Sequence, residues 1–208
     1  MELPFDASHI IKHSGIHPLK IRNIYLYGSR VYGTHRVDSD YDIILLAGSL
    51  LEHKEIRAME TNSLLNIHII TPDKFKRDLE NHDMMNLECY YAPDWCTLQE
   101  KESLMFKLNK KRLVKNALAQ SFNSWNGAKH KLNDGDIHRG LKSLFHSFRI
   151  LIFADQILYN DKIWDYTASN HFYKEITESD EFEWTYFQNK YFIFKRDLEA
   201  SLKNWIKQ

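Results

Sequence analysis

Residues 24–46 read IYLYGSRVYGTHRVDSDYDIILL. The segment contains two apolar runs, at 24–27 and 43–46, and each is short, rich in β-branched and aromatic residues and bounded by turn residues. Such runs are typical of strands in a buried sheet. A Gly-Ser pair at 28–29 ends the first run, and Asp-Tyr-Asp at 40–42 precedes the second. The segment therefore predicts two strands, with polar residues where the first ends and the second begins.

The acidic pair points to a divalent cation. Asp40 and Asp42 are two residues apart, so in a strand their side chains share one face of the sheet. Two carboxylates held close together repel each other unless a cation lies between them. Mg²⁺ prefers carboxylate oxygens and completes its octahedron with water and substrate phosphates. We therefore predict that Asp40 and Asp42 are catalytic metal ligands for Mg²⁺, with Mn²⁺ as the alternative ion.

The turn after the first strand has the features of a phosphate site. Gly28 allows the backbone to approach a phosphate closely, and Ser29 offers a hydroxyl and a backbone N–H at an expected helix start, where anions bind. Arg30 and Ser39 complete the set of nucleotide-binding residues predicted in this segment. An ordinary loop or a solvated acidic turn would explain either half alone, but not both halves at a ten-residue spacing.

This pattern resembles the signature of the DNA polymerase β-like nucleotidyltransferase superfamily, and the longer string GSRVYGT…DSDYD is similar to predicted nucleotidyltransferases of bacteria and phages. Lys74-Phe75, Asn-Leu-Glu at 86–88 and His-Ser-Phe-Arg at 146–149 extend the resemblance. It implies that a nucleoside monophosphate is moved from an NTP to an acceptor hydroxyl, with release of pyrophosphate. The acceptor stays open between an RNA 3′ end, a protein hydroxyl and a small molecule.

The sequence departs from the superfamily at one position. Its members usually carry a third carboxylate on the following strand, which completes the metal site or acts as a base. Here the run at 64–70 has Asn66 and His68 on one face instead. Either His68 is a third ligand or base, or Glu60 or Glu88 reaches the site from elsewhere, or the site has weak chemistry. We include His68 among the catalytic residues; a partly buried histidine making one hydrogen bond is the structural alternative.

Composition sets further limits. Lys plus Arg number 28, as do Asp plus Glu, and the formal net charge is +0. This balance argues mildly against long nucleic acids, which need several phosphate contacts. Cys89 and Cys96 are too few for a disulfide framework and lack the spacing of a zinc site. Without a signal-peptide pattern or a long apolar stretch, we expect a soluble cytoplasmic protein with no membrane partner. The oligomeric state stays open.

The sequence pattern of the whole chain predicts an α+β fold. We expect an N-terminal nucleotidyltransferase domain over 1–108, a mixed sheet with flanking helices, and a C-terminal helical bundle over 109–208. Within the first domain, turn residues between the runs at 55–60 and 64–70 predict a hairpin, with a helix over 53–60 as the alternative. The remaining periodicity and capping signals predict helices near 6–13, 72–82, 84–91, 110–132, 137–158 and 183–205.

One helix carries a basic stripe. Arg139, Lys142, His146 and Arg149 follow at spacings of three, four and three residues. A solvated face is the ordinary explanation, but no acid lies between these positions and 150–154 is apolar, so we expect Arg149 to be buried. A buried guanidinium requires a carboxylate or phosphate. We therefore predict that Lys142 and Arg149 bind the nucleotide.

Two other functions compete with transfer. Arg139 and His146 have an Arg-x6-His spacing that resembles the motif of HEPN ribonucleases, small helical domains often encoded beside nucleotidyltransferases. Such a pair on one helix face would cleave RNA by metal-independent acid–base chemistry. The absent third acid motivates the other alternative, a non-catalytic nucleotide-binding sensor.

Overall fold

The computed structural model describes residues 3–48 and 54–207. Strands and short helices make up the N-terminal part and long helices the C-terminal part, so the predicted α+β class is confirmed. The chain divides into two compact units, Met1–Lys107 and Leu108–Gln208. The functional assignment of domains to 1–108 and 109–208 stays a prediction. Within the described residues, no helix combines the length and the apolar character needed to span a membrane.

The N-terminal unit contains a mixed five-stranded sheet with the strand order β3-β4-β2-β1-β5. β2 and β4 run parallel, and the other neighbouring pairs are antiparallel. The strands are β1 (Ile21–Tyr27), β2 (Tyr41–Ala47), β3 (Lys54–Glu60), β4 (Ser63–Ile70) and β5 (Thr97–Glu100).

The predicted hairpin is confirmed, and the alternative helix is wrong over 54–60; residue 53 lies outside the described residues. Thr61 and Asn62 form the turn with φ angles of 48° and 64°. Two left-handed residues in succession match the twist of a two-residue hairpin. The helix-forming residues of β3 become a strand because β3 pairs with β4 along its whole length. Tertiary pairing thus overrides local propensity here.

β5 was not predicted. Its four residues show too little alternation to stand out, and it forms because β1 offers an edge for pairing. The buried Asn23 side chain fastens the chain just after β5. Its Nδ2 donates to the Glu102 carbonyl (2.8 Å), and its Oδ1 accepts from the backbone N–H groups of Lys101 (3.1 Å) and Glu102 (3.0 Å).

Helices lie against both faces of the sheet. α1 (Ala7–Ser14) packs on β3 and β4, and its Ile10 is fully buried. On the opposite face, α3 (Pro72–Glu80) packs on β2 and α4 (Met84–Tyr90) packs on β1. Phe75 of α3 stacks on Tyr25, with ring centroids 5.8 Å apart. The side chains of Thr71 and Asp83 accept backbone N–H bonds at the N-termini of α3 and α4 and thereby cap both helices.

The C-terminal unit is helical. It consists of α5 (Lys110–Asn133), α6 (Ile137–Asn160), α7 (Asn170–Thr177) and α8 (Trp184–Trp205). α5 and α6 form a helical hairpin, and the Ser121 hydroxyl donates across it to the Ser147 carbonyl at 2.8 Å. The core of this unit is largely aromatic and is built around Trp125, Phe145, Phe148, Phe187 and Tyr191.

Candidate active site

The Gly-Ser turn and the second acid lie against each other. Tyr27 at the end of β1 pairs with Asp42 of β2, which brings Gly28 beside the acid. Gly28 has a φ of 84°, and a Cβ atom added to it would lie 2.4 Å from Asp42 Oδ2. Glycine is favoured here for two reasons, because a Cβ atom would force the Asp42 side chain to move and because φ is positive. The group beside Gly28 is thus Asp42, and the predicted approach of the Gly28 backbone to a phosphate stays a prediction.

Helix α2 (Ser29–Tyr32) begins at the turn. Gly28 is its N-terminal cap, and the Gly28 carbonyl accepts the backbone N–H groups of Val31 (3.0 Å) and Tyr32 (3.2 Å). The helix has a single turn, so what it adds to the site is the fixed direction of the Ser29 backbone rather than a large dipole.

Asp40 lies one residue before β2 and not within a strand as expected. Arg30 holds this residue in place through the main chain. Its Nη2 donates to the Ser39 carbonyl (2.6 Å), and its Nε donates to the Asp40 carbonyl (3.3 Å). The guanidinium also lies 3.8 Å from the ring centroid of Tyr41. Arg30 thus ties the start of α2 to the segment that carries the first acid.

Ser39 has a local role as well. Its hydroxyl oxygen accepts the backbone N–H of Arg36 at 2.8 Å, which closes the turn in front of Asp40. The structure therefore brings Gly28, Ser29, Arg30 and Ser39 together around the acidic segment. Direct binding of a nucleotide by Arg30 and Ser39 stays a prediction.

The pKa of Tyr27 is sensitive to the negative charge in this region. Its pKa lies well above the usual value, first because the ring is buried and then because of the negative charge of Asp42. Glu88 and Asp40 act on the Tyr27 hydroxyl in the same direction. Three carboxylates therefore lie within electrostatic range of one phenol.

Glu88 was one of the candidate third acids. It is buried on α4, and its carboxylate accepts a short hydrogen bond from the Tyr32 hydroxyl at the end of α2. Glu88 is therefore on the same side of the sheet as the turn. Its hydrogen bond with Tyr32 braces α2, the helix that follows Gly28.

Glu60, the other candidate, lies elsewhere. Strand alternation puts it on the opposite sheet face from Asn66, and there it meets α1. Its carboxylate accepts from His13 Nε2 at 2.6 Å and lies 3.7 Å from His9 Nε2. The hydrogen bond from His13 lowers the pKa of Glu60. Glu60 joins α1 to the hairpin rather than joining the acidic pair.

Asn66 occupies the strand position next to Asp42. The two residues are paired in the parallel register of β2 and β4. Asn66 Nδ2 donates to Asp42 Oδ1 at 3.2 Å and lies 3.1 Å from His68 Nε2. Asn66 Oδ1 is buried and has no hydrogen-bond partner. His68 is therefore on the site face, as predicted, and reaches Asp42 through the Asn66 amide.

The donor atoms at this edge of the sheet suit a hard cation. Asp40, Asp42 and Asn66 all offer oxygen, which is the donor that Mg²⁺ and Mn²⁺ prefer. The buried, unpartnered Asn66 oxygen fits a cation ligand better than a purely structural amide. No group of three or more His, Cys, Asp or Glu residues in the described ranges is arranged to hold a metal ion.

Two residues of the site face were missed by sequence reasoning. Glu55 pairs with His68, and Arg57 pairs with Asn66, so both share the face of the acidic pair. Both are exposed, and Arg57 Nε lies 3.6 Å from Glu55 Oε1. The turn could have indicated the position of Glu55 and Arg57. A two-residue turn fixes the register of a hairpin and therefore the sheet face on which each residue of β3 lies.

The remaining candidates lie on α6 of the C-terminal unit. Lys142 is exposed, whereas Arg149 is buried as expected, with its guanidinium 5.5 Å from the Phe153 ring centroid. Arg139 is exposed, and its Nη1 lies 3.5 Å from Asp136 Oδ2. Contact of Lys142 and Arg149 with a nucleotide stays a prediction.

His146 is the titratable group of the ribonuclease alternative. Burial lowers its pKa well below the usual value, and the positive charges of Arg149, Lys142 and Lys131 act in the same direction. Its Nδ1 is buried with no hydrogen-bond partner. A neutral imidazole is expected here at physiological pH.

The family profile described as Polymerase beta, Nucleotidyltransferase matches residues 10–91. The match supports a polymerase β-like nucleotidyltransferase superfamily for this part of the chain. The matched range includes the Gly-Ser turn, the acidic pair, Asn66 and His68. The matched range thus extends from within α1 to the end of α4 and includes β1 to β4.

One solved structure similar to this chain is described as a nucleotidyltransferase-like protein from Exiguobacterium sibiricum 255-15. The sequences are 9% identical, and the alignment covers 99% of this chain and 75% of that one with a TM-score of 0.36. No curated protein matches the chain. The assignment of the domain therefore rests on the family profile and on the site geometry.

Proposed function

We propose that this protein is a metal-dependent nucleotidyltransferase that moves a nucleoside monophosphate from an NTP, such as ATP, to an acceptor hydroxyl. The observation that carries the proposal is the close approach of Gly28 to Asp42, since a Cβ atom added to Gly28 would lie 2.4 Å from Asp42 Oδ2. A turn that offers backbone N–H groups beside a carboxylate can hold a triphosphate and its counter-ion together.

The chain's own residues have separable roles. The Gly28-Ser29 turn holds the phosphates, and Asp40 and Asp42 would hold Mg²⁺ or Mn²⁺. When bound, the cation neutralises phosphate charge and draws electrons from the α-phosphorus. Arg30 and Ser39 keep Asp40 in position through the contacts of its loop. We retain Ser39, Arg30, Lys142 and Arg149 as proposed nucleotide-binding residues.

The proposed reaction is an in-line displacement. The acceptor oxygen forms a bond to the α-phosphorus while the bond from that phosphorus to the bridging oxygen of the β-phosphate breaks, and pyrophosphate leaves. His68 is the proposed group that takes the acceptor's proton, since it lies on the site face and contacts the Asn66 amide. Such catalysis depends mainly on positioning and charge neutralisation.

A labelling experiment tests which class of molecule is the acceptor. Each α-³²P-labelled NTP is incubated with the protein and Mg²⁺, and cellular RNA, total protein and small metabolites are offered in separate reactions. We expect labelling of one acceptor class, and its loss in Asp40→Ala and Asp42→Ala. Asp38→Ala is the matched control, because Asp38 is an exposed acid of the same loop whose contact is with Arg36. Retained transfer in the Asp40 or the Asp42 variant would overturn the mechanism.

A further inference from the structure

β3 is the outermost strand on one side of the sheet, and no strand of the described ranges pairs with its outer edge. Glu60 and Ser63 close the two-residue loop of the hairpin, and the pair that closes such a loop is hydrogen-bonded. Hydrogen-bonded and non-hydrogen-bonded pairs alternate along an antiparallel ladder. Glu55, Arg57 and Met59 therefore direct their backbone N–H and C=O groups away from β4, where a further strand could pair with them.

This outer edge carries an acid and a base on one sheet face. Glu55 and Arg57 are both exposed, and Arg57 Nε lies 3.6 Å from Glu55 Oε1. Charged side chains on an edge strand usually prevent pairing with other chains. Here, however, the opposite charges are two residues apart, so a second copy of the same strand in antiparallel orientation can set each acid opposite a base. The edge is therefore complementary in charge to itself.

Sheet geometry and charge together select one register for two such strands. A two-fold axis perpendicular to the sheet relates the antiparallel copies, so residues of the same sheet face must lie opposite each other. When Ile56 lies opposite Ile56 of the second copy, Glu55 lies opposite Arg57 on both sides of the axis. The neighbouring registers of the same parity set Arg57 opposite Arg57 or Glu55 opposite Glu55, and like charges directly opposite each other are destabilising.

In the selected register the charged side chains of both copies form a square of alternating sign. Two of its sides follow the strands, and the other two cross the join between hydrogen-bonded pairs, whose Cα atoms lie about 5.5 Å apart. Each Arg57 guanidinium then has a carboxylate of its own strand and one of the second copy beside it. A network of this kind is a better source of stability than an isolated surface ion pair. The outward backbone groups of Glu55 and Arg57 pair across the same join.

We propose that the outer edge of β3 is a dimer interface, at which two copies of this chain join their sheets with Ile56 on the two-fold axis. The described part of this interface is 54–58 of each copy. Because the axis is perpendicular to the sheet, the acidic pairs of both copies lie on the same face of one continuous sheet. One short strand from each copy makes a small interface, so the dimer is expected to dissociate on dilution. The interface does not depend on the nucleotidyltransferase activity proposed above.

Sedimentation equilibrium of the full chain over a range of concentrations measures this association. We expect the wild type to dimerise, and Glu55→Arg or Arg57→Glu to weaken the dimer at least about tenfold, because each sets like charges opposite each other twice. The two substitutions combined exchange the charges and are expected to restore the wild-type dissociation constant to within about threefold. Arg77→Glu is the matched control, since it reverses a charge at an exposed position of α3, and we expect it to leave association unchanged.

Cysteine substitutions test the register. Ile56 faces its own copy in a non-hydrogen-bonded pair, with Cα atoms about 4.5 Å apart, which is within the range of a disulfide. Ile56→Cys is therefore expected to form a disulfide-linked dimer in air. Ala58→Cys is the matched control, because its Cα atoms in the two copies would be about 14 Å apart. The native Cys89 and Cys96 are buried and are not expected to react.

The inference is overturned if the wild type stays monomeric at every concentration measured, or if neither single charge reversal weakens the dimer. It is also overturned if the charge exchange fails to restore association, or if Ala58→Cys or Arg57→Cys crosslinks more readily than Ile56→Cys. The cysteine variants decide the question should a charge reversal fail to fold, which circular dichroism would reveal. Label transfer by a chain that stays monomeric would refute the interface and leave the proposed function intact.

Discussion

Gly28 combines two constraints, a backbone conformation that side chains disfavour and a contact that leaves no space for a Cβ atom. The first constraint is a general feature of left-handed turns, whereas the second is specific to the acid beside it. Gly15 allows the two constraints to be separated. Its φ is also positive, at 67°, but a Cβ atom added to Gly15 would meet nothing within 4 Å. A comparison of substitutions at Gly15 and Gly28 therefore measures the effect of the Gly28–Asp42 contact on stability.

Gly28→Ala is therefore expected to cost more than Gly15→Ala. We expect Gly15→Ala to lower the free energy of unfolding by about 1 kcal/mol through backbone strain alone. Gly28→Ala should lose at least about 2 kcal/mol, since the new methyl group also displaces the Asp42 carboxylate. Urea denaturation of both variants checks this. Equal losses, or nucleotide binding unaffected by Gly28→Ala, would contradict the close approach of turn and acid.

Residue identity alone predicted much of the site, and the reasons are local. Gly-Ser and Asp-x-Asp flank strands whose ends are visible in the sequence, so their proximity follows from one antiparallel pairing. Asn66 and His68 were placed on one face by alternation. The Asn66–Asp42 bond was not predictable, because it depends on the parallel register of β2 and β4, which no turn between them specifies.

At the scale of elements, α2 is too short to be stable by itself and depends on its neighbours. The Tyr32 hydroxyl at its end donates to the buried Glu88 of α4. Arg30 ties its first turn to the segment before β2. The Gly28-Ser29 turn is therefore held from two sides, by α4 and by the acidic loop.

Removal of one of these supports should loosen the turn. Tyr32→Phe takes away the hydroxyl donor of a buried carboxylate, which costs about 1–3 kcal/mol when the acceptor loses that bond. We expect a lower unfolding midpoint in urea together with weaker binding of α,β-methylene-NTP. Tyr159→Phe is the control, because Tyr159 is exposed on α6. A Tyr32 variant that binds nucleotide like the wild type would show that α4 does not position the turn.

Helix α1 is joined to the hairpin by a titratable contact. His13 donates to Glu60 and lowers the pKa of that carboxyl below its usual value. A carboxyl whose pKa is depressed in the folded state stabilises the fold above its unfolded-state pKa, and this stabilisation is lost as the pH falls through the folded-state pKa. Glu60 therefore contributes to a decline in stability below about pH 4.5.

Urea unfolding at about pH 6 and about pH 3.5 measures this contribution. We expect Glu60→Gln to lose less stability than the wild type between the two pH values, because it has no carboxyl to protonate at this position. Glu80→Gln, at the exposed end of α3, serves as the comparison. Identical pH dependence in the wild type and Glu60→Gln would contradict the coupling of α1 to the hairpin.

The elements themselves were predictable to different degrees. The helix start at 71–73 and the turn residues between the runs at 55–60 and 64–70 are local signals, and the structure has a helix and a hairpin there. β5 was missed because four residues with no alternating pattern become a strand only beside the free edge of β1. The identity of β3 was nearly missed for the related reason that its residues favour helix until β4 pairs with them.

For the whole molecule, the balanced charge and the two compact units leave the acceptor open. The acidic pair lies in the range that matches the family profile, whereas the basic residues of α6 belong to the C-terminal unit. Formation of α5, α6 and α8 followed from their periodicity, whereas the short α7 was not predicted, and periodicity carries no information on how one compact unit meets another. The proposed roles of Lys142 and Arg149 therefore depend on experiment rather than on pattern.

The central claim is that the Gly28 turn and its neighbouring acids bind a triphosphate together with a divalent cation. Isothermal titration calorimetry of the full chain with an α,β-methylene-NTP tests this most directly, with Mg²⁺ present and with Mg²⁺ removed by chelation. The account predicts binding that requires Mg²⁺ and is lost in Asp42→Asn but kept in Asp38→Asn. Binding that persists in Asp42→Asn, or that is unaffected by removal of Mg²⁺, would contradict it.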